Sequence, residues 1–190
     1  MLFIVRHGRT VLNAQGRLQG HVDAELDEVG KEQAKRIAQA VGPVDRVVSS
    51  PLLRARQTAQ AFGVEPEIDD RWIELDYGEF DGKTFGELPA GTWDSWRSNL
   101  DFRPPGGETL RELGERVRNG ANALLADAAE QTVVVATHVS PIKASVAWAL
   151  GVGDEATWRM FVGQASITRV SAGPAPSLRG FNDLGHLTGM

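Results

Sequence analysis

Leu2-Phe3-Ile4-Val5 and Thr132-Val133-Val134-Val135-Ala136 are short, nearly unbroken apolar runs, and Arg46-Val47-Val48-Ser49 is a third strand candidate around a shorter apolar pair. Runs of that length and β-branched content predict strands buried on both faces. Elsewhere the apolar positions recur at helical spacing: Ala34, Ile37, Ala38 and Val41; then Leu110, Leu113, Val117, Ala121, Leu124 and Ala128. A further helix is predicted from Pro141, carrying Ile142, Val146 and Leu150. Ser166-Ile167-Thr168-Arg169-Val170 and Leu178-Arg179-Gly180-Phe181-Asn182 read as closing antiparallel strands on either side of the Gly173-Pro174 turn. Strands alternating with helices predict an α/β fold with a mostly parallel central sheet.

The residues that follow these three segments carry the chemistry. The first apolar run discharges into Arg6-His7-Gly8-Arg9-Thr10 and the second into Thr137-His138-Val139-Ser140. The third candidate leads into Ser50-Pro51-Leu52-Leu53-Arg54, where Ser50 reads as a helix N-cap and Pro51 as the first helical residue. Thr10 is placed to cap a short helix, and Gly8 to permit a sharp turn or close approach to a bound group. Parallel strands followed by helices end on one side of the sheet, which would gather Arg6, His7, Arg54 and His138 there. Singly, Arg54 reads as a solvated surface charge and His138 as a hydrogen-bonded structural histidine. Together they make an anion pocket, and an arginine in a first helical turn opposes the helix dipole unless an anion shares the site.

Those residues, taken with others in the same order, resemble the histidine phosphatase superfamily, in its phosphoglycerate mutase-like branch. The matching stretches are Arg6-His7-Gly8 with Thr10 and Asn13, Ser49-Ser50-Pro51 with Arg54 and Gln57-Thr58-Ala59, Glu74 with Tyr77-Gly78 and Gly82, Pro105-Gly106-Gly107-Glu108, and Thr137-His138. The resemblance implies a three-layer α/β/α sandwich. It also implies that His7 is the nucleophile, that Arg6, Arg54 and His138 hold the phosphoryl oxygens, and that Glu74 is the proton donor, with Asp76 as the alternative acid. Asn13, Gln19, Gly20 and Val139 are the accompanying substrate-binding positions. The Glu74–Gly78 and Thr137–Lys143 stretches are similar to α-ribazole phosphatases and related acid phosphatases. Val139-Ser140 departs from the Gly-Asn or Gly-Gly pair commoner after the second histidine, and the compact chain departs from the longer mutases. The expected function is therefore a small-metabolite phosphomonoester hydrolase, with a cofactor-dependent phosphoglycerate mutase or a non-catalytic phosphate-binding module as alternatives.

Composition narrows the picture further. The 190 residues suit one domain spanning 1–190, without linker or repeat. A formal net charge of −5 argues against a nucleic-acid or membrane surface and confines the basic groups to a local pocket. The absence of cysteine removes thiolate nucleophiles and thiolate metal sites. His7, His21, His138 and His186 lack the close pairing of metal motifs, so neither metal nor cofactor is expected. No secretory pattern and no membrane-length apolar run are present, which predicts a cytoplasmic protein. A homodimer is left open. Residues 84–105 are expected to rim the pocket, with Trp93 and Trp96 on one helical face and Arg97 and Arg103 within reach of a second polar group.

Overall fold

The computed structural model describes residues 1–190. Six strands, β1 (Leu2–Arg6), β2 (Arg46–Ser49), β3 (Glu67–Ile68), β4 (Val133–Thr137), β5 (Ile167–Ser171) and β6 (Ser177–Asp183), form one sheet in the order β3-β2-β4-β1-β5-β6. The β1–β4, β4–β2 and β2–β3 pairs are parallel, while β5 runs antiparallel to β1, and β6 to β5. The register is what positions the chemistry. Arg6 lies opposite Thr137, and Ser49 opposite Ala136, so His7, Ser50 and His138 leave three adjacent strands at one level.

Helices cover both faces of the sheet because alternate strand residues point to opposite sides. Leu2, Ile4, Val48, Val133 and Val135 pack with Leu113, Val117 and Leu124 of α5 (Leu110–Glu130) and Ile142 of α6 (Val139–Leu150). Val5, Val47, Val134 and Ala136 form a smaller core with Ile37 of α2 (Glu28–Val41) and Ala59 of α3 (Leu53–Gln60). Two short helices complete the set, α1 (Val11–Ala14) and α4 (Thr92–Ser98). Each predicted strand and helix is present, with bounds shifted by a few residues. The two-residue β3 went unpredicted, since both its residues are exposed and give no apolar run.

Local chemistry explains the helix starts. Thr10 caps α1 in a reciprocal box with Asn13, and Thr109 caps α5 in the same way with Glu112. At α3 the expectation fails: the helix begins at Leu53, and Leu52 is the capping position without a side-chain bond. The Ser50 hydroxyl does accept the Leu52 amide at 3.3 Å, but its shorter bond goes elsewhere, to His138 at 2.7 Å. No helix is long and apolar enough to cross a membrane.

Candidate active site

His7 is held at the end of β1 with one ring nitrogen committed. Its Nδ1 lies 2.7 Å from the Gly8 carbonyl oxygen, an acceptor only, so Nδ1 carries the proton and Nε2 presents its lone pair. The Arg54 Nε–H points between that Nε2, at 3.3 Å, and His138 Nδ1, at 3.2 Å. His138 in turn donates from Nε2 to the Ser50 hydroxyl. One guanidinium N–H is thus shared by two imidazoles whose centroids are 5.1 Å apart, and both rings must be neutral to accept it. Burial, followed by the Arg54 charge, holds both His7 and His138 well below the ordinary histidine value.

Backbone oxygens fix the two arginines. Arg54 is fully buried and donates to the carbonyls of Gln19, Gly20 and Val22. Arg6 donates through Nη1 to the Val162 carbonyl at 2.8 Å, while its buried Nε has no partner. Burial pulls both guanidinium groups down to about 10, so both remain cationic at neutral pH. The carbonyls that hold Arg54 belong to a loop tied by Asp81, which accepts from the Gly20 and Val22 amides. Gly20 has no room for a side chain, because a Cβ would stand 2.7 Å from the Leu75 carbonyl oxygen.

Glu74, 3 % exposed, is the acid nearest this cluster in charge terms, acting on Arg6 and Arg54 before any other group. Its carboxylate accepts the Leu75 amide and, at the start of α6, the Val139 and Ser140 amides at 3.0 and 3.1 Å. The α6 N-terminus is therefore occupied by a carboxylate of the chain itself. Asp76 is placed differently: it accepts the Gly78 amide within its own turn and lies 3.6 Å from His21. Arg116 holds the Glu74 segment from behind, donating to the carbonyls of Arg71, Ile73 and Glu74 while paired with Glu108.

Residues 2–183 match the family description "Histidine phosphatase superfamily (branch 1)". The chain belongs to the histidine phosphatase superfamily. A bifunctional protein of Mycobacterium tuberculosis is 34% identical over 98% of this chain, and the chain spans only 54% of that protein's length. A putative phosphoserine phosphatase of Hydrogenobacter thermophilus is 31% identical, with 89% of this chain and 88% of the relative covered. Among solved structures, a His-to-Ala mutant of Entamoeba histolytica phosphoserine phosphatase in complex with phosphoserine superimposes with a TM-score of 0.88 at 30% identity, over 98% of each chain. The mycobacterial glucosyl-3-phosphoglycerate phosphatase bound to VO3 gives 0.86 at 30% identity, over 95% of this chain and 98% of the other.

The remaining candidates of this superfamily member sort by contact. Thr10 donates to the Gln19 side-chain carbonyl at 2.8 Å, leaving the Gln19 amide nitrogen buried without a partner. Asn13 spends its carbonyl oxygen on the Thr10 amide. Val139 contributes its amide to Glu74 and its side chain to an adjoining cleft of about 530 Å3. Arg97 and Trp93 line that cleft, whereas Arg103 is tied to Glu112 and the Gly107 carbonyl on the surface. Glu108, the last residue of the Pro105–Glu108 stretch, pairs with Arg116, and Glu112 takes the capping role at α5. Gly8 makes its close approach to protein rather than to a ligand: a Cβ there would stand 2.3 Å from the Gly30 carbonyl oxygen of α2. Its amide donates to Thr58, while the neighbouring Gln57 accepts the Leu26 amide and Ala59 packs in the smaller core.

Sequence reasoning did not single out Ser50 as the His138 partner, Asp81 as the loop tie or Arg116 as the Glu74 support. Each acts through contacts 45 or more residues away in the chain, which no local pattern encodes. Tyr77, seen only as part of a motif, faces Glu74, Arg6 and Ser140, and burial pushes its phenol up, so it stays protonated. No group of three or more His, Asp or Glu side chains is arranged to hold a metal ion.

Proposed function

We propose that the chain is a phosphatase that hydrolyses small phosphomonoesters through a phosphohistidine on His7. The observation that carries this reading is the single Arg54 N–H shared by His7 Nε2 and His138 Nδ1, with the far side of the His7 ring locked to Gly8. A phosphomonoester dianion repels nucleophiles, and buried guanidinium groups on its nonbridging oxygens offset that repulsion in the transition state. Arg6, Arg54 and His138 are assigned that role. The orphaned Arg6 Nε and Gln19 amide nitrogen are further donors awaiting an acceptor. Asn13 and Gly20 complete the binding set, the glycine through the carbonyl that aims Arg54.

In the first step the His7 Nε2 lone pair attacks phosphorus and the P–O ester bond breaks. The leaving alkoxide takes a proton from Glu74. In the second step a water oxygen attacks phosphorus, the P–N bond breaks, and Glu74 accepts the water's proton as phosphate leaves. Asp76 is the weaker choice of acid because its carboxylate is a third exposed and turned to the Gly78 amide and His21, whereas Glu74 is buried and acts on the Arg6 and Arg54 charges. No metal is assigned a part in either step.

The relatives' names, phosphoserine phosphatase and glucosyl-3-phosphoglycerate phosphatase, favour a phosphorylated metabolite as substrate. Similarity to cobalamin-pathway enzymes adds α-ribazole phosphate to the candidates. Rapid quenching of turnover with radiolabelled phosphomonoester is expected to trap an acid-labile, base-stable adduct that His7→Ala abolishes. Turnover without that adduct would overturn the mechanism, and activity lost to strong chelators would overturn its metal independence. A phosphoglycerate isomerised faster than it is hydrolysed would replace hydrolysis by transfer.

A further inference from the structure

We propose that the cleft beside the cradle selects phosphomonoesters whose alcohol half is a bulky, mostly apolar body carrying a second acidic group, with the acid seated on Lys143 and the body against Trp93 and Trp158. The inference rests on the phosphatase reading above and names the substrate class of that same site.

The cleft adjoins the chemistry through the start of α6. Val139 and Ser140 line it and also hold the Glu74 carboxylate through their amides. At about 530 Å3 it lies within the range of pockets built for drug-sized ligands, larger than a three-carbon phosphate requires. Its walls are mainly apolar. Trp93 stacks on the buried Trp96 with centroids 5.6 Å apart, Trp158 stands edge-on to Trp93, and Phe85 closes the outer side at 5.0 Å from Trp93.

The charges in that wall have one sign. Lys143 and Arg97 line the cleft, and no Asp or Glu does, in a chain with 25 acidic and 20 basic side chains. Lys143 is half-buried and takes part in no hydrogen bond, ion pair or cation-π contact, whereas the other half-buried cations each have one. It sits in the second turn of α6, where the helix dipole disfavours a cation. Burial, with the Arg6 charge, draws its amine below the usual lysine value, while Glu74 raises it. A desolvated, unpaired ammonium at a helix start is costly until an anion joins it.

The same charge pattern ranks substrates. Phosphoserine carries an ammonium as well as a carboxylate, and the cleft has no carboxylate to meet it. α-Ribazole phosphate has an apolar ring system but no second acid. An aryl or otherwise bulky ester bearing a carboxylate satisfies both walls.

Non-hydrolysable phosphonates separate this proposal from the reading beneath it. Calorimetry would compare 4-(phosphonomethyl)benzoate with benzylphosphonate on the intact chain. The carboxylated ligand is expected to bind about tenfold tighter or better, as befits a partly buried charged hydrogen bond. Lys143→Met should bring the two affinities together, and Lys143→Arg should keep most of the difference. Equal wild-type affinities, no binding of either ligand, or a preference that survives Lys143→Met would overturn the proposal. Carboxylate-dependent binding without turnover of the corresponding phosphate ester would instead overturn the phosphatase reading and support the cleft assignment.

Discussion

The cradle and the cleft lie next to each other and are built on opposite principles. In the cradle, main chain pins all but one of the side chains: His7 by the Gly8 carbonyl, Arg54 by three carbonyls of the 19–22 loop, Arg6 by Val162, and Glu74 by three amides, while His138 is held by the side chains of Arg54 and Ser50. In the cleft, the walls are side chains on α4, the 84–98 stretch and α6, packed on one another and open to solvent, with Phe85 56% exposed. Backbone pins tolerate change nearby but not replacement of the pinned group. Packed side chains tolerate replacement and retune what they bind. Under the proposed function, the cradle would keep one reaction while changes in the cleft alone altered the substrate.

The sharpest way to break that contrast is Arg54→Lys, which keeps the charge but removes the N–H shared by the two imidazoles. The expected loss is about 10²–10³-fold in kcat/KM, the scale of one deleted transition-state donor. Steady-state kinetics on an aryl phosphate would read it, and a loss under about threefold would mean that charge alone, not the shared donor, is what matters there.

Acid should expose the cost of the buried neutral histidines. His7 and His138 have folded-state pKa values held below 6.5, so the unfolded chain takes up protons first as pH falls. Their contribution is complete above 6.5 and is lost below it, by about 1.4 kcal/mol per pH unit for each ring. Urea midpoints at pH 7.5, 6.0 and 5.0 would show the decline, and His138→Gln should flatten it. A profile that stays level to pH 5 would remove the buried-neutral description of the cradle.

Gly8→Ala tests the cradle's frame. A methyl group meeting the Gly30 carbonyl should cost about 1–3 kcal/mol in stability and lower kcat by moving His7. Calorimetric melting and kinetics on the same preparation would check both. The smallest effect is reserved for the cleft. Trp93→Ala removes one stacked partner of Trp96, with an expected cost of about 1 kcal/mol, and should weaken aryl phosphonates severalfold. A loss as large as that of Arg54→Lys would mean that the two regions are not separable.

Legibility followed the range of the interactions. The apolar runs and the order of the motifs disclosed Arg6, His7, Arg54 and His138, because each follows a strand and the strands are parallel. The α5 helix was readable from its apolar spacing, whereas its Thr109–Glu112 capping box emerged only in the structure. Ser50 misled because serine before proline is a cap pattern, and the competing bond to His138 arrives from 88 residues away. Gly8 was marked for a sharp turn or a close approach to a bound group, and its actual close neighbour, the Gly30 backbone, could not be read from a tripeptide. Asp81 and Arg116 look like ordinary surface charges in sequence and become supports only through contacts across the fold.

By itself, then, the chain determined its alternation of strands and helices, its lack of thiols and the four groups of the cradle, all consequences of local pattern and of parallel strands ending together. Tertiary structure decided which nitrogen of His7 is free, that Glu74 rather than a ligand takes the α6 amides, and that an unpaired Lys143 faces an aromatic cleft. Those outcomes depend on distances between segments brought together by folding: hydrogen bonds form only within about 3.5 Å, and charge interactions weaken as separation grows.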